Sequence, residues 1–180
     1  MSKNSIVVRL VALLAVVFLS SSAARAADDP IAIPTLIPYA EKAEVRGSIR
    51  EDCGLSAKLS KQILQRSLKK KRVSVIRVGN LSEGRNGEAP PRRNLDLRIT
   101  DAIETTGGLL PTYSLSIDGV LKEEGRVAGT FVGTRFGRAS FIPFRRGECA
   151  VLAEAVRLIS KDVVKWMRKP RLDARLGDAR

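Results

Sequence analysis

The sequence contains no histidine among its 180 residues. That absence excludes a Ser-His-Asp triad, a His-ligated metal and an imidazole pH switch. Cysteine is scarce, with only Cys53 and Cys149, and no Cys-x-x-Cys pair is present for redox exchange. Aromatics make up 4% of the chain, and acidic residues number 19 against 32 Lys and Arg. Beyond residue 26, no apolar run approaches the roughly 20 residues that a membrane-spanning helix needs. A nucleophile–base pair would have to be built without imidazole, and a membrane span without a second hydrophobic segment.

What is present begins with an export signal. Lys3 and Arg9 precede the ten apolar residues Leu10 to Leu19, and small residues then lead to Ala24-Arg25-Ala26. This is the three-part pattern of a secretory signal peptide over 1–26, with cleavage expected after Ala26. No Cys stands just after the apolar run, so the usual bacterial lipoprotein acylation site is missing. Removing residues 1–26 takes away three basic and no acidic residues, leaving 29 against 19, or +10, on 154 residues. That length suits one domain, expected to be soluble and periplasmic or secreted.

In an exported chain a lone cysteine pair is most simply one disulfide. Cys53 and Cys149 are 96 residues apart. Closing a loop of that order removes unfolded-state entropy worth roughly 4 to 5 kcal/mol in the chain-entropy model.

Residues 27–42 carry Pro30, Pro34 and Pro38 between isolated apolar residues, which denies helix and predicts an extended arm. The single domain is expected over 43–170. Ala43, Val45 and Ile49 have strand parity; Leu55, Leu59, Ile63 and Leu68 then fall near helical spacing, behind Glu51 and Asp52 and ahead of Lys69 to Lys71. A strand at Val73 to Val78 leads to the Gly- and Pro-rich link Asn80 to Arg93. Alternating runs around Leu95 to Ile99 and Tyr113 to Ile117 follow, then a turn at Glu123 to Gly125 and a last strand to Phe136. In that strand Gly129, Gly133 and Gly137 share the parity of Val127 and Phe131, which suits either a closely packed helix or local twist. Cys149, Leu152, Val156, Ile159, Val163 and Trp166 form the strongest helical stripe, stopped by Pro170. Residues 171–180 read as a loosely ordered charged tail.

Both cysteines stand at helix starts, so their bond would set two helices side by side. The predicted fold is α+β: a two-layer sandwich with a mainly antiparallel sheet of four to five strands and two helices on one face. Val45, Leu97, Leu115, Ile117, Val127 and Phe131 are expected beneath those helices. This order of elements over about Ala43 to Pro170, together with export, resembles small bacterial envelope α/β modules such as those of CsgG, LpoB and the TolB N-terminal domain. The chain departs from the first two in lacking the lipid-attachment cysteine. The resemblance implies an envelope accessory or assembly factor with no catalytic site.

Chemistry is sparse. Asp96, Asp101 and Asp118 lie on neighbouring strands, but simple parity sets Asp101 on the opposite face, so no convergent acid–base pair is expected and the chain reads as no enzyme. No metal and no cofactor are expected. The polar strand faces offer Arg and Ser without aromatics, which disfavours nucleic acid. The most distinctive surface candidate is Phe136 to Arg146: Arg138, Phe141, Phe144, Arg145 and Arg146 combine aromatic anchors with Arg, as interaction hot spots do; set against this is the reading that the Phe side chains seal the edge of the helix-sheet core. The expected function is a non-catalytic binding or assembly accessory of the bacterial envelope with an envelope protein as partner. The alternative is electrostatic adherence of a basic protein to anionic envelope material such as lipid phosphates.

Overall fold

The computed structural model describes residues 29–70, 73–79, 81, 91–105, 112–138 and 147–179. The signal segment 1–26 and the cleavage point after Ala26 lie outside the described residues. The elements are β1 (Ile31–Pro34), β2 (Tyr39–Val45), α1 (Gly47–Asp52), α2 (Leu55–Lys70), β3 (Val75–Val78), β4 (Arg93–Thr105), β5 (Thr112–Glu123), β6 (Arg126–Arg138), α3 (Glu148–Trp166) and β7 (Ala174–Gly177).

The centre is the antiparallel run β4–β5–β6, with strands of 13, 12 and 13 residues. Its period-2 pattern puts Leu95, Leu97, Ile99, Leu115, Ile117 and Leu121 on one fully buried face. Glu124 and Gly125 close the second hairpin with φ of 51° and 80°. Two positive φ values are what a type I′ turn needs to match strand twist.

The sheet is larger than the four to five mainly antiparallel strands expected. Seven strands pair in the order β3-β1-β4-β5-β6-β7, with β2 also against β4. The pairs β1/β3, β1/β4, β2/β4 and β6/β7 are parallel. Two of the extra strands come from segments read as extended arm and loose tail. β1 lies between β3 and β4, and Ile31, Ala32 and Ile33 are fully buried. Pro30 precedes this strand and Pro34 ends it, so no proline removes a donor from its interior. β7 extends the other edge, with Ala174 and Leu176 inward. Asp178 fastens it: its amide donates to the Thr134 carbonyl at 2.8 Å, and its carboxylate accepts from the Arg135 guanidinium at 3.1 Å.

Between Val45 and Cys53 the chain does not continue as a strand. Ile49, which had strand parity, is buried on the short helix α1, and Glu51 and Asp52 end that helix instead of leading α2. The described residues thus hold three helices, not two. Leu55, Leu59 and Ile63 of α2 and Leu152, Val156, Ile159 and Val163 of α3 bury the expected stripes, while Leu68 is exposed. The Cys53–Cys149 disulfide is formed, with Cα atoms 4.9 Å apart, and it ties the start of α2 to the start of α3. A structural disulfide persists in oxidising compartments, so this bond favours an extracytoplasmic protein.

The glycines of β6 resolve in favour of close helix approach. A Cβ on Gly133 would lie 2.8 Å from Ile159 Cδ1, one on Gly129 would lie 2.8 Å from the Trp166 ring, and one on Gly137 would collide with the Val151 backbone carbonyl. Within the antiparallel run, bulges break the simple parity at two places. Ile99 pairs with Ile117 but Asp101 with Ser116, leaving Thr100 extra; Leu121 pairs with Gly129 but Lys122 with Val127, leaving Ala128 extra. The second bulge turns Val127 outward, and it is 53% exposed instead of buried. Val45, in the same expected set, is only partly buried against the core.

Candidate functional site

The helices cover one face of the sheet, and among the described residues no helix packs on the other. That open face is built from the alternate positions of β4, β5 and β6. The bulge at Thr100 changes what it carries: Asp101 pairs with Ser116 and Ile103 with Ser114, so beyond the bulge the odd positions of β4 join the outward set and Ala102 turns inward. Asp101 therefore shares the face of Asp96 and Asp118, contrary to simple parity.

Two cross-strand rows define this face. The first runs from Ile103 through Ser114 to Phe136, since Ile103 pairs with Ser114 and Ser114 with Phe136. Adjacent strands lie about 4.8 Å apart, so the two large apolar side chains sit roughly 10 Å from each other across the middle strand. Ile103 is 37% and Phe136 41% exposed, with Ser114 buried between them.

The second row joins Arg98, Asp118 and Val132. Here Arg98 contacts Asp96 at 3.8 Å. Partial burial raises the Asp118 carboxyl from its ordinary value; Arg98 opposes that rise and Asp96 adds to it. Asp118, Val120, Thr130 and Val132 line a depression of about 450 Å³ whose far side is Asp173 and Arg175. Ser116 and Thr134 share a hydrogen bond of 3.0 Å beside it. One half-buried carboxyl flanked by a guanidinium and apolar walls can orient a polar group of a partner. Among the described residues no group of three or more His, Cys, Asp or Glu is placed to hold a metal ion.

Of the segment singled out from sequence, Phe136 is on the open face and Arg138 is the last residue of β6. Phe141, Phe144, Arg145 and Arg146 lie outside the described residues. The two ends of that link are firmly placed. Gly137 touches Val151 of α3, the Phe136 amide donates to Asp178 at 3.4 Å, and Cys149 anchors the first turn of α3. Ile103 was missed as a partner of Phe136, because a count from Leu95, Leu97 and Ile99 puts it inside. Only the bulge reverses it, and nothing in the local sequence marks Thr100 as extra.

No helix among the described residues is long and apolar enough to cross a membrane. No protein-family model matches the chain, and no curated protein matches it either. Solved structures do. Protein XCC0632 of Xanthomonas campestris, of the DUF330 family, is 13% identical with a TM-score of 0.54, over 82% of this chain and 87% of that one. The hypothetical protein CT253 of Chlamydia trachomatis is also 13% identical with a TM-score of 0.54, over 77% of this chain and 96% of that one. Neither is of the CsgG, LpoB or TolB type to which the element order pointed. At this identity the likeness is one of fold. The chain has the α+β fold found in these two bacterial proteins.

Proposed function

We propose that the protein is an exported, non-catalytic binding or assembly component of the bacterial cell envelope, and that its partner is another envelope protein. The observation that carries this reading is the row Ile103–Ser114–Phe136 on the uncovered sheet face, next to the point where the Phe- and Arg-bearing link 139–146 leaves β6. Exposed apolar side chains set on long, paired strands form a rigid surface, so little ordering cost attends binding. Support also comes from the disulfide, which suits export, and from a fold shared with other bacterial proteins.

The test is site-specific photo-cross-linking in the producing cell, with the photoreactive residue at Ile103 or Phe136 and, as control, at Lys61 on the exposed side of α2. A discrete protein adduct at the two sheet positions and not at Lys61 is expected. It should disappear when Arg145→Glu and Arg146→Glu are added. Equal adducts at all three positions, or none, would overturn the reading.

A further inference from the structure

The C-terminal end of α3, the following connection and β7 enclose an open recess of about 1000 Å³. Its lining carries six cations, Arg135, Lys165, Arg168, Lys169, Arg171 and Arg175, and one carboxylate, Asp162. Arg135 is already neutralised: its Nε donates to Asp162 at 2.7 Å and its terminal nitrogen to Asp178 at 3.1 Å. The other five have no ion pair with any described residue. Arg168 also has a buried Nε with no acceptor among the described residues.

Helix-dipole compensation accounts for part of this. Lys165, Arg168 and Lys169 stand at the negative end of α3, where cations are favoured. It does not account for Arg171 and Arg175, which come from the connection and from β7 and line the same recess. Like charges gathered around one concavity repel one another, so the fold gains nothing from their convergence. Beside the cations, Trp166 and Leu176 supply an apolar wall. Three guanidinium forks and two ammonium groups, none of them ion-paired among the described residues, match a ligand presenting several oxygens and more than one negative charge, and guanidinium meets phosphate in a bidentate way that a point charge does not.

We infer that this recess binds a phosphate-bearing ligand, either a lipid headgroup or a soluble phosphate compound. It is separate from the Ile103–Phe136 row and stands whether or not that row takes a protein partner. It also gives the excess of positive charge a location, which the charge count does not.

Trp166 is the one tryptophan in the chain, so its fluorescence reports on the recess. The protein produced with its disulfide intact is titrated with inorganic pyrophosphate. It is also sedimented with vesicles of phosphatidylglycerol in phosphatidylcholine and with vesicles of phosphatidylcholine alone. Two variants lose equal charge: Lys169→Glu, Arg171→Glu, Arg175→Glu at the recess, and Lys58→Glu, Lys61→Glu, Lys69→Glu on exposed positions of α2. The expected result is saturable change in Trp166 emission, weakened about tenfold or more in the recess variant and less than about twofold in the α2 variant. Should the triple exchange fail to fold, Arg171→Gln alone is expected to weaken binding about threefold or more. Vesicle binding displaced by pyrophosphate identifies a headgroup; pyrophosphate binding without vesicle binding identifies a soluble ligand. Equal losses in both triple variants, unchanged affinity in Arg171→Gln, or no binding to either probe would overturn the inference.

Discussion

At the scale of single residues, glycine on β6 sets how near α3 can come. The three inward positions are not equivalent. Opposite Gly133 stands Ile159 Cδ1, the end of a side chain that can rotate away. Opposite Gly137 stands the main-chain carbonyl of Val151, which cannot move without moving the first turn of α3, and that turn is held by Cys149. Overpacking costs about 1 to 3 kcal/mol. We therefore expect Gly133→Ala to lower stability by about 1 kcal/mol and Gly137→Ala by about 3 kcal/mol or more. Denaturant titration of both variants checks the order; equal losses would show that α3 shifts as a rigid rod. Buried polar groups follow the same logic of fixed partners. Ser60 is fully buried on α2, donates to the Pro34 carbonyl at 2.7 Å and accepts from Arg77 Nε at 3.0 Å, while Arg77 also reaches the Thr35 carbonyl. These bonds satisfy the backbone where β1 ends, a place where a buried carbonyl without a partner would be costly.

At the scale of elements, the strand β1 is the clearest departure from expectation. Read alone, Ile31 to Pro34 between two further prolines looks like a peptide laid on a surface. In the fold its amides and carbonyls are shared between β3 and β4, and the Ile31 amide donates to the Ser74 carbonyl at 2.9 Å. A surface arm would exchange its amide hydrogens nearly as fast as an unfolded peptide, whereas a central strand opens only with the global unfolding of the sheet. Hydrogen exchange is therefore expected to protect Ile31 and Ile33 to the same degree as Leu97 and Ile117. Protection factors near one at Ile31 and Ile33 would return this segment to an arm. β7 is a weaker case of the same kind, since four residues on a parallel edge have a single neighbour strand.

At the scale of the whole molecule, one covalent bond spans most of the domain. It joins residues 96 apart and lies where the two long helices begin. The elements between its ends, α2, β3, β4, β5 and β6, make the larger part of the sheet and one of the two long helices. We expect the double exchange Cys53→Ser, Cys149→Ser to lower unfolding free energy by about 2 to 5 kcal/mol. A shift of the denaturant midpoint with a slope no smaller than that of the parent is the signature, because the unlinked unfolded chain exposes more surface. An unchanged midpoint would mean that helix packing alone holds this corner.

The helical stripes of α2 and α3, the alternation of β4 and β5, the hairpin at Glu124-Gly125 and the pairing of the only two cysteines are all legible in the sequence. Each depends on neighbours within a few positions or on there being no other partner to choose. Phe136 stood out in the same way, as an aromatic among arginines, and the structure sets it on the open sheet face, 41% exposed. The tertiary structure alone decided the rest. Whether Ile31 to Pro34 lies on the surface or between two strands depends on β3 and β4, which arrive about 40 and 60 residues later along the chain. Residues Thr100 and Ala128 become bulges only through the register of the strand beside them, and a one-residue slip sends every later side chain to the other face. That slip exposes Val127, brings Ile103 beside Phe136 across Ser114, and sets Asp101 with Asp118. The cations from Lys165 to Arg175 read as a helix end and a loose tail until β7 folds back on β6 and gathers them around one recess. Local periodicity is a property of one segment; face, register and convergence are properties of pairs of segments, and distant pairs leave no mark in either segment alone.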